Sequence, residues 1–184
     1  MPSSPRTAEP ALGRRKDRAV SIERLWAGWR SDYVRDVTMG DPDGGCVMCR
    51  LAAAPDDDEA LVVARGEHAF VVLNAFPYTS GHLMVVLDRH EADLERLPPV
   101  EAAEMMGLMQ WSTAALKRAY RPDGVNVGMN LGAAAGAGVP GHLHVHVLPR
   151  WHADTNFLTA VADTRVIPEH LEETLARVRS VWDG

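Results

Sequence analysis

GHLHVHVLPRW, residues 141–151, carries three of the chain's eight histidines, His142, His144 and His146, alternating with Leu143, Val145 and Val147. Successive side chains on a β-strand point to opposite faces, so this period of two predicts a strand with three imidazoles on one face and aliphatic side chains on the other. A row of imidazoles packs no better than valine or isoleucine, and each buried ring needs a hydrogen-bond partner. The pattern therefore points to chemistry. Two kinds fit: metal ligation, or an imidazole nucleophile flanked by imidazoles that orient it.

The flanks weigh between them. Downstream stand Val147, Leu148, Pro149, Arg150 and Trp151, where a jelly-roll metal site would want a Glu within a few residues. A metal-dependent barrel hydrolase needs about 250 residues, and the chain has 184. Upstream, Asn130 precedes the loop Gly132–Gly138, GAAAGAG, in which glycines such as Gly136 and Gly138 let backbone N–H groups approach phosphate oxygens. No G-x-x-x-x-G-K-[ST] occurs, which excludes a P-loop. With Arg150 as a fixed positive charge beside the histidines, the stretch reads as a site where imidazole attacks an α-phosphate.

Working outward, Val125–Leu131 is expected as a strand before the loop and Gly141–Leu148 as the strand after it. Leu61–Arg65, Ala69–Leu73 and His82–Leu87 are β-rich runs that suggest an antiparallel meander. From Pro98 to Tyr120 the apolar spacing of Met105, Leu108, Met109, Ser112 and Leu116 predicts a helix, closed by Pro122 and Gly124, whose methionines belong to the core. A last helix is expected over Glu169–Val181, after Pro168, and a helical segment over Ile22–Tyr33, with Leu25, Trp26 and Trp29 packing on the core. Strands and helices do not alternate as a doubly wound sheet requires, so the expected class is α+β: an antiparallel sheet of about five strands with a long helix and a C-terminal helix.

Composition bounds the function classes. With 46% hydrophobic and 24% charged residues the chain is an ordinary globular protein. Residues 1–20 carry five basic side chains against two acidic ones and are read as a flexible basic tail; the single domain, residues 21–184, is then left at −9 within a whole of −6. Such a body offers no global field for nucleic acid or an anionic membrane, and any anionic ligand must be held locally. No apolar run approaches the ~18 residues of a membrane span. The single C-x-x-C and the absence of a secretion-like leader predict a cytoplasmic protein.

These residues resemble the histidine triad (HIT) superfamily, whose signature is H-x-H-x-H followed by apolar residues, here His142–Pro149. VVLNAFPYTSGHLMVVLDRH from Val71 looks like the family's upstream strand pair, and GVNVGMNLG from Gly124 like its Asn-bearing strand; the likeness spans about residues 22–182. RLWAGWRSDYV near the start and PRWHADTNFLT after the triad look like the branch of diadenosine tetraphosphate phosphorylases and related dinucleotide hydrolases. The resemblance implies that His144 is the nucleophile, forming a nucleotidyl-histidine, and that His146 bonds the scissile phosphate and helps protonate the leaving oxygen. It implies that His82 lines the phosphate site, that Asn74 binds ribose hydroxyls and that Asn130 contacts phosphate or ribose. Trp151 and the segment from Asp154 to Phe157 are expected to reach a base or a neighbouring subunit, with packing as the equal alternative.

Many relatives carry a Gln in the loop before the triad, where Ala137-Gly138-Val139 stands here. That departure leaves room for inorganic phosphate as the second nucleophile and favours phosphorolysis, giving ATP and ADP, over hydrolysis of dinucleotide polyphosphates. A nucleoside phosphoramidate hydrolase and a non-catalytic nucleotide-binding module are the alternatives. Cys46, Cys49, His90 and His142 match in type and order the zinc ligands of some family members; two reduced thiols and an exposed His90 are the other reading. The resemblance also implies a homodimer or higher even assembly.

Overall fold

The computed structural model describes residues 45–154 and 169–184. The basic tail and the Ile22–Tyr33 segment lie outside them, as do Thr155, Asn156 and Phe157. The elements run α1 (Val47–Ala52), β1 (Val62–Arg65), β2 (Ala69–Leu73), β3 (Leu83–Leu87), α2 (Pro99–Tyr120), β4 (Gly124–Gly128), β5 (His144–Arg150) and α3 (Leu171–Arg179). The five strands form one antiparallel sheet in the order β1-β2-β3-β5-β4.

The expected meander is β1-β2-β3. Its sequence reads as continuous apolar runs because β2 and β3 are buried on both faces. One face, with Val71, Leu83, Val85, Val145 and Val147, packs under Met105, Leu108 and Leu116 of α2 and Leu175 and Val178 of α3. The methionine stripe of α2 is therefore core. The other face carries Phe70, Val72, Met84 and Val86 beneath Met48 of α1. Because β5 lies between β3 and β4 and its odd-numbered residues serve the first core, its even-numbered residues emerge on the second face. There His144 stands opposite Val86, and His146 between Met84 and Gly128.

Strand boundaries depart from the periodicity at both ends of the triad. β4 stops at Gly128 rather than Leu131, since Asn130 turns its amide to the Gly136 carbonyl at 3.4 Å instead of continuing the ladder. β5 starts at His144 rather than Gly141, because the His142 N–H goes to Val139 O at 3.3 Å, closing a turn. It runs on to Arg150, which pairs with Gly124 at the start of β4.

α3 is tied to α2 by one acidic side chain. Glu169 accepts from the Tyr120 hydroxyl at 2.6 Å, the Thr174 hydroxyl at 3.0 Å and Arg177 Nε at 2.6 Å. Burial and the bonded carboxylate push the Tyr120 hydroxyl up, so it stays a donor.

Candidate active site and metal centre

His144 is 5% exposed, and its Nδ1 lies 2.8 Å from its neighbour's carbonyl, His142 O. A carbonyl only accepts, so Nδ1 carries the hydrogen and Nε2 keeps its lone pair. Burial holds the imidazole below its ordinary range against the opposing pull of that carbonyl. The ring is therefore neutral at pH 7, with a bare nitrogen.

His146 has the opposite tautomer, set by a chain of donors. The Tyr78 backbone N–H donates to His82 Nδ1 at 3.1 Å, and a backbone N–H has no other role, so His82 carries its proton on Nε2. That Nε2–H donates to His146 Nδ1 at 2.9 Å, which leaves the His146 proton on Nε2. The His144 and His146 rings stand edge to face with centroids 5.1 Å apart. The Tyr78 ring packs on both His82, at 4.7 Å, and His146, at 5.9 Å. A nucleophilic nitrogen and a proton-bearing nitrogen thus share one face of the sheet.

Asn74 is buried behind His82. Its Nδ2 donates to His82 Nδ1 at 3.3 Å and its Oδ1 accepts the Phe76 N–H at 2.9 Å. Asn130 braces the Gly132–Gly138 loop through Gly136 O, and Gly132 and Gly136 hold φ of +80° and +88°, a backbone that side-chain-bearing residues adopt with strain. Gly138 opens to free space. Arg150 lies four residues beyond His146, about 13 Å along the strand. Its guanidinium meets Asp154 through Nε at 2.5 Å and a second nitrogen at 2.8 Å, and Asn126 Oδ1 at 2.9 Å. Trp151 stands edge-on to Tyr120, with centroids 6.3 Å apart.

The turn that delivers His82 has a steric requirement. Gly81 has φ +76°, and a Cβ there would lie 2.8 Å from Tyr120 Cε2 and 3.0 Å from Leu116 Cδ2. Tyr120 cannot simply step aside, since Glu169 holds its hydroxyl. Gly81→Ala is expected to cost about 1–3 kcal/mol of stability, read as a lower urea midpoint. An unchanged midpoint would show that this turn is not constrained.

The third histidine faces elsewhere. His142 is 1% exposed; its Nε2–H donates to Leu87 O at 2.6 Å, so Nδ1 is bare. That Nδ1 lies 3.3 Å from Cys46 Sγ and 3.6 Å from Cys49 Sγ, while Cys49 Sγ is 3.4 Å from His90 Nδ1. The four ligand atoms all lie within 4.8 Å of one another. Two sulfurs and two imidazole nitrogens converging in this way suit a tetrahedral cation such as zinc, and the Leu87 carbonyl fixes the ligating tautomer of His142. Burial and the adjacent Cys46 raise the Cys49 thiol, so an entering cation must displace its proton. Arg89, beside His90, is anchored to Glu101 at 2.9 Å and Glu91 at 3.2 Å, which fixes the loop that presents the ligand.

Sequence reading alone does not find Tyr78, Leu87 or the carbonyl of His142 as parts of the site. Each sets a tautomer through a backbone atom, which side-chain type does not report, although the Tyr78 ring also packs on His82 and His146. The nearest signal is the turn FPYTSGH preceding β3.

A HIT domain family model matches residues 56–153. The chain is 41% identical over 165 residues to a protein named AP-4-A phosphorylase from Mycobacterium tuberculosis, covering 88% of this chain and 85% of that one. Among solved structures it resembles a Zn-bound histidine triad family protein from Mycobacterium smegmatis, with 30% identity and a TM-score of 0.61, covering 74% of this chain and 92% of that chain. It also resembles a HIT family protein from Bacillus anthracis, with 28% identity and a TM-score of 0.52, covering 59% and 75% of the two chains.

Proposed function

This chain belongs to the HIT domain family, and on that premise we propose that it cleaves diadenosine polyphosphates through a nucleotidyl-His144 intermediate, with inorganic phosphate completing the turnover. The observation that carries the reading is the pair of complementary tautomers: His144 presents a bare Nε2, and His146 presents a proton on Nε2. The similarity to AP-4-A phosphorylase supplies the substrate class.

His144 Nε2 attacks the α-phosphorus as the bond to the α–β bridging oxygen breaks; the His146 Nε2–H donates a hydrogen bond to that oxygen, and ATP leaves diadenosine tetraphosphate as its anion. The nucleotidylated ring gains positive charge as its nitrogen is bonded, and the His142 carbonyl on Nδ1–H stabilises that charge. The hydrogen bond from His82 Nε2–H to His146 Nδ1 keeps the His146 proton on Nε2, facing the leaving oxygen. A phosphate oxygen attacks the same phosphorus in the second step, giving ADP and restoring His144 to its neutral form. Backbone amides of Gly132–Gly138, including Gly136 and Gly138, and the braced Asn130 would hold the transferring phosphoryl oxygens. Asn74 orients His82, and ribose contact would require its amide to exchange partners. Arg150 would meet distal phosphates by exchanging Asp154 for them, and Trp151 would shape the same end of β5.

Cys46, Cys49, His90 and His142 would hold a structural zinc, in keeping with the Zn-bound relative. It would supply rigidity at the entry to β5. The reading includes a homodimer through the edge strand β4 and α2, where Val127, Met106 and Trp111 are exposed. Among the described residues no helix is long and apolar enough to cross a membrane, and a cytoplasmic location belongs to the same proposal.

Product analysis decides the second nucleophile. With diadenosine tetraphosphate and phosphate, ATP and ADP are expected in equal amounts, ADP formation rising with phosphate concentration. AMP formation that phosphate leaves unchanged would replace phosphorolysis with hydrolysis.

A further inference from the structure

His142 is gripped at three points. Its Nε2–H is on Leu87 O at 2.6 Å, its Nδ1 faces both cluster sulfurs, and its own carbonyl holds His144 Nδ1–H at 2.8 Å. The peptide groups on either side are tied as well: His142 N–H goes to Val139 O at 3.3 Å and Leu143 N–H to Glu91 O at 2.7 Å, next to His90 in the chain. The carbonyl that selects the tautomer of the nucleophile therefore belongs to a residue whose ring is a ligand of the cluster.

We infer that occupancy of the Cys46–Cys49–His90–His142 cluster sets the tautomer and orientation of His144, with His142 as the positioning residue that transmits it. A cation on His142 Nδ1 fixes the ring, the ring fixes the peptide plane through two side-chain bonds, and the plane presents its oxygen to His144 Nδ1–H. Without the cation, the contacts left at Nδ1 are thiols, weak hydrogen-bond partners. The ring and its peptide gain freedom, and His144 can then carry its hydrogen on Nε2, the nitrogen that must attack. The cluster thus governs the fraction of molecules with a competent nucleophile, although it touches neither substrate nor reacting atoms. The catalytic meaning of this coupling rests on His144 being the nucleophile.

The test is a zinc titration of the full chain after chelation, with metal content measured alongside the imidazole nitrogen spectrum of His144 and the backbone spectrum. At full occupancy His144 is expected as the single Nδ1–H tautomer. In the stripped protein a mixture is expected, with nucleotidyl transfer slower by about 10–100-fold and KM little changed. His90→Gln supplies a second series: His90 is the exposed ligand, so the variant should lose metal affinity while keeping the buried contacts of His142. Tautomer plotted against occupancy should follow one curve for both proteins. A His144 tautomer indifferent to occupancy in the His90→Gln series overturns the inference, even if chelation unfolds the parent chain. Failure of the functional reading looks different: the loaded protein would form no nucleotidyl-His144 while the tautomer still followed the metal.

Discussion

His144→Ala is expected to lower turnover of diadenosine tetraphosphate by about five orders of magnitude or more, the scale on which removal of a covalent nucleophile acts. Nothing nearby can substitute. His146 directs a protonated nitrogen to the same space, and His142 has its bare nitrogen in the sulfur cluster. Nucleotide binding should persist, because the loop glycines and Asn130 do not depend on the His144 ring. The fold should persist as well, since His144 lies on the face opposite the α2–α3 core and its Nδ1–H bonds the lead-in of its own strand. The checks are initial rates with the purified variant and equilibrium binding of a non-cleavable nucleotide. Near-normal turnover in the variant would exclude His144 as the attacking group.

His146→Ala removes the hydrogen-bond donor to the leaving oxygen and is expected to cost about 10²–10³-fold in turnover with diadenosine tetraphosphate, the usual range for one donor to developing negative charge. The deficit should depend on the leaving group. An alkoxide leaving from an alkyl adenylate ester develops more charge than the polyphosphate, whose terminal oxygen is only weakly basic, so the alkyl ester should show the larger deficit in the variant. A merely structural role would impair both substrates alike. The same comparison on His82→Ala should show a smaller loss of the same kind, because His82 acts only by fixing which nitrogen of His146 holds the proton.

Much of the architecture is legible from periodicity. The meander, the long helix with Met105, Leu108 and Leu116 in the core and the final helix all stand where apolar spacing puts them, because burial on one or two faces leaves a direct imprint on residue type. The ends of β4 and β5 are not legible, since Asn130 and His142 leave the ladder for bonds to loop carbonyls whose proximity is a product of the fold. Cys46, Cys49, His90 and His142 are legible as ligand types in order, but that they converge into a group able to hold an ion rests on the 4.8 Å grouping of their ligand atoms. Alternation puts three imidazoles on one face of a strand, whereas the strand begins at His144 and only His144 and His146 share its face, with His142 turned to Cys46 and Leu87 O. The separate tasks of the three follow from Leu87 O, His142 O and the Tyr78 N–H, backbone atoms that side-chain type does not report.

Arg150 shows the opposite case. Its charge is plain in the sequence, but Asp154, four residues on, holds its guanidinium through two nitrogens. In a chain of net charge −6 a free arginine beside the triad would have been the obvious anchor for a polyphosphate. With that charge matched, the proposed reading rests the anion's recognition more on the loop amides and the imidazole hydrogen bonds, so hydrogen-bond direction matters more there than net potential.

The central claim is a covalent nucleotide on His144. Rapid-quench incubation with diadenosine tetraphosphate labelled at the α-phosphorus, in the absence of inorganic phosphate, followed by proteolysis and mapping, tests it most directly. The account requires an acid-labile adenylyl group on His144 that forms at least as fast as ATP is released, and that added phosphate discharges as ADP. Label on another residue, or full turnover with no labelled protein at any time, would contradict it.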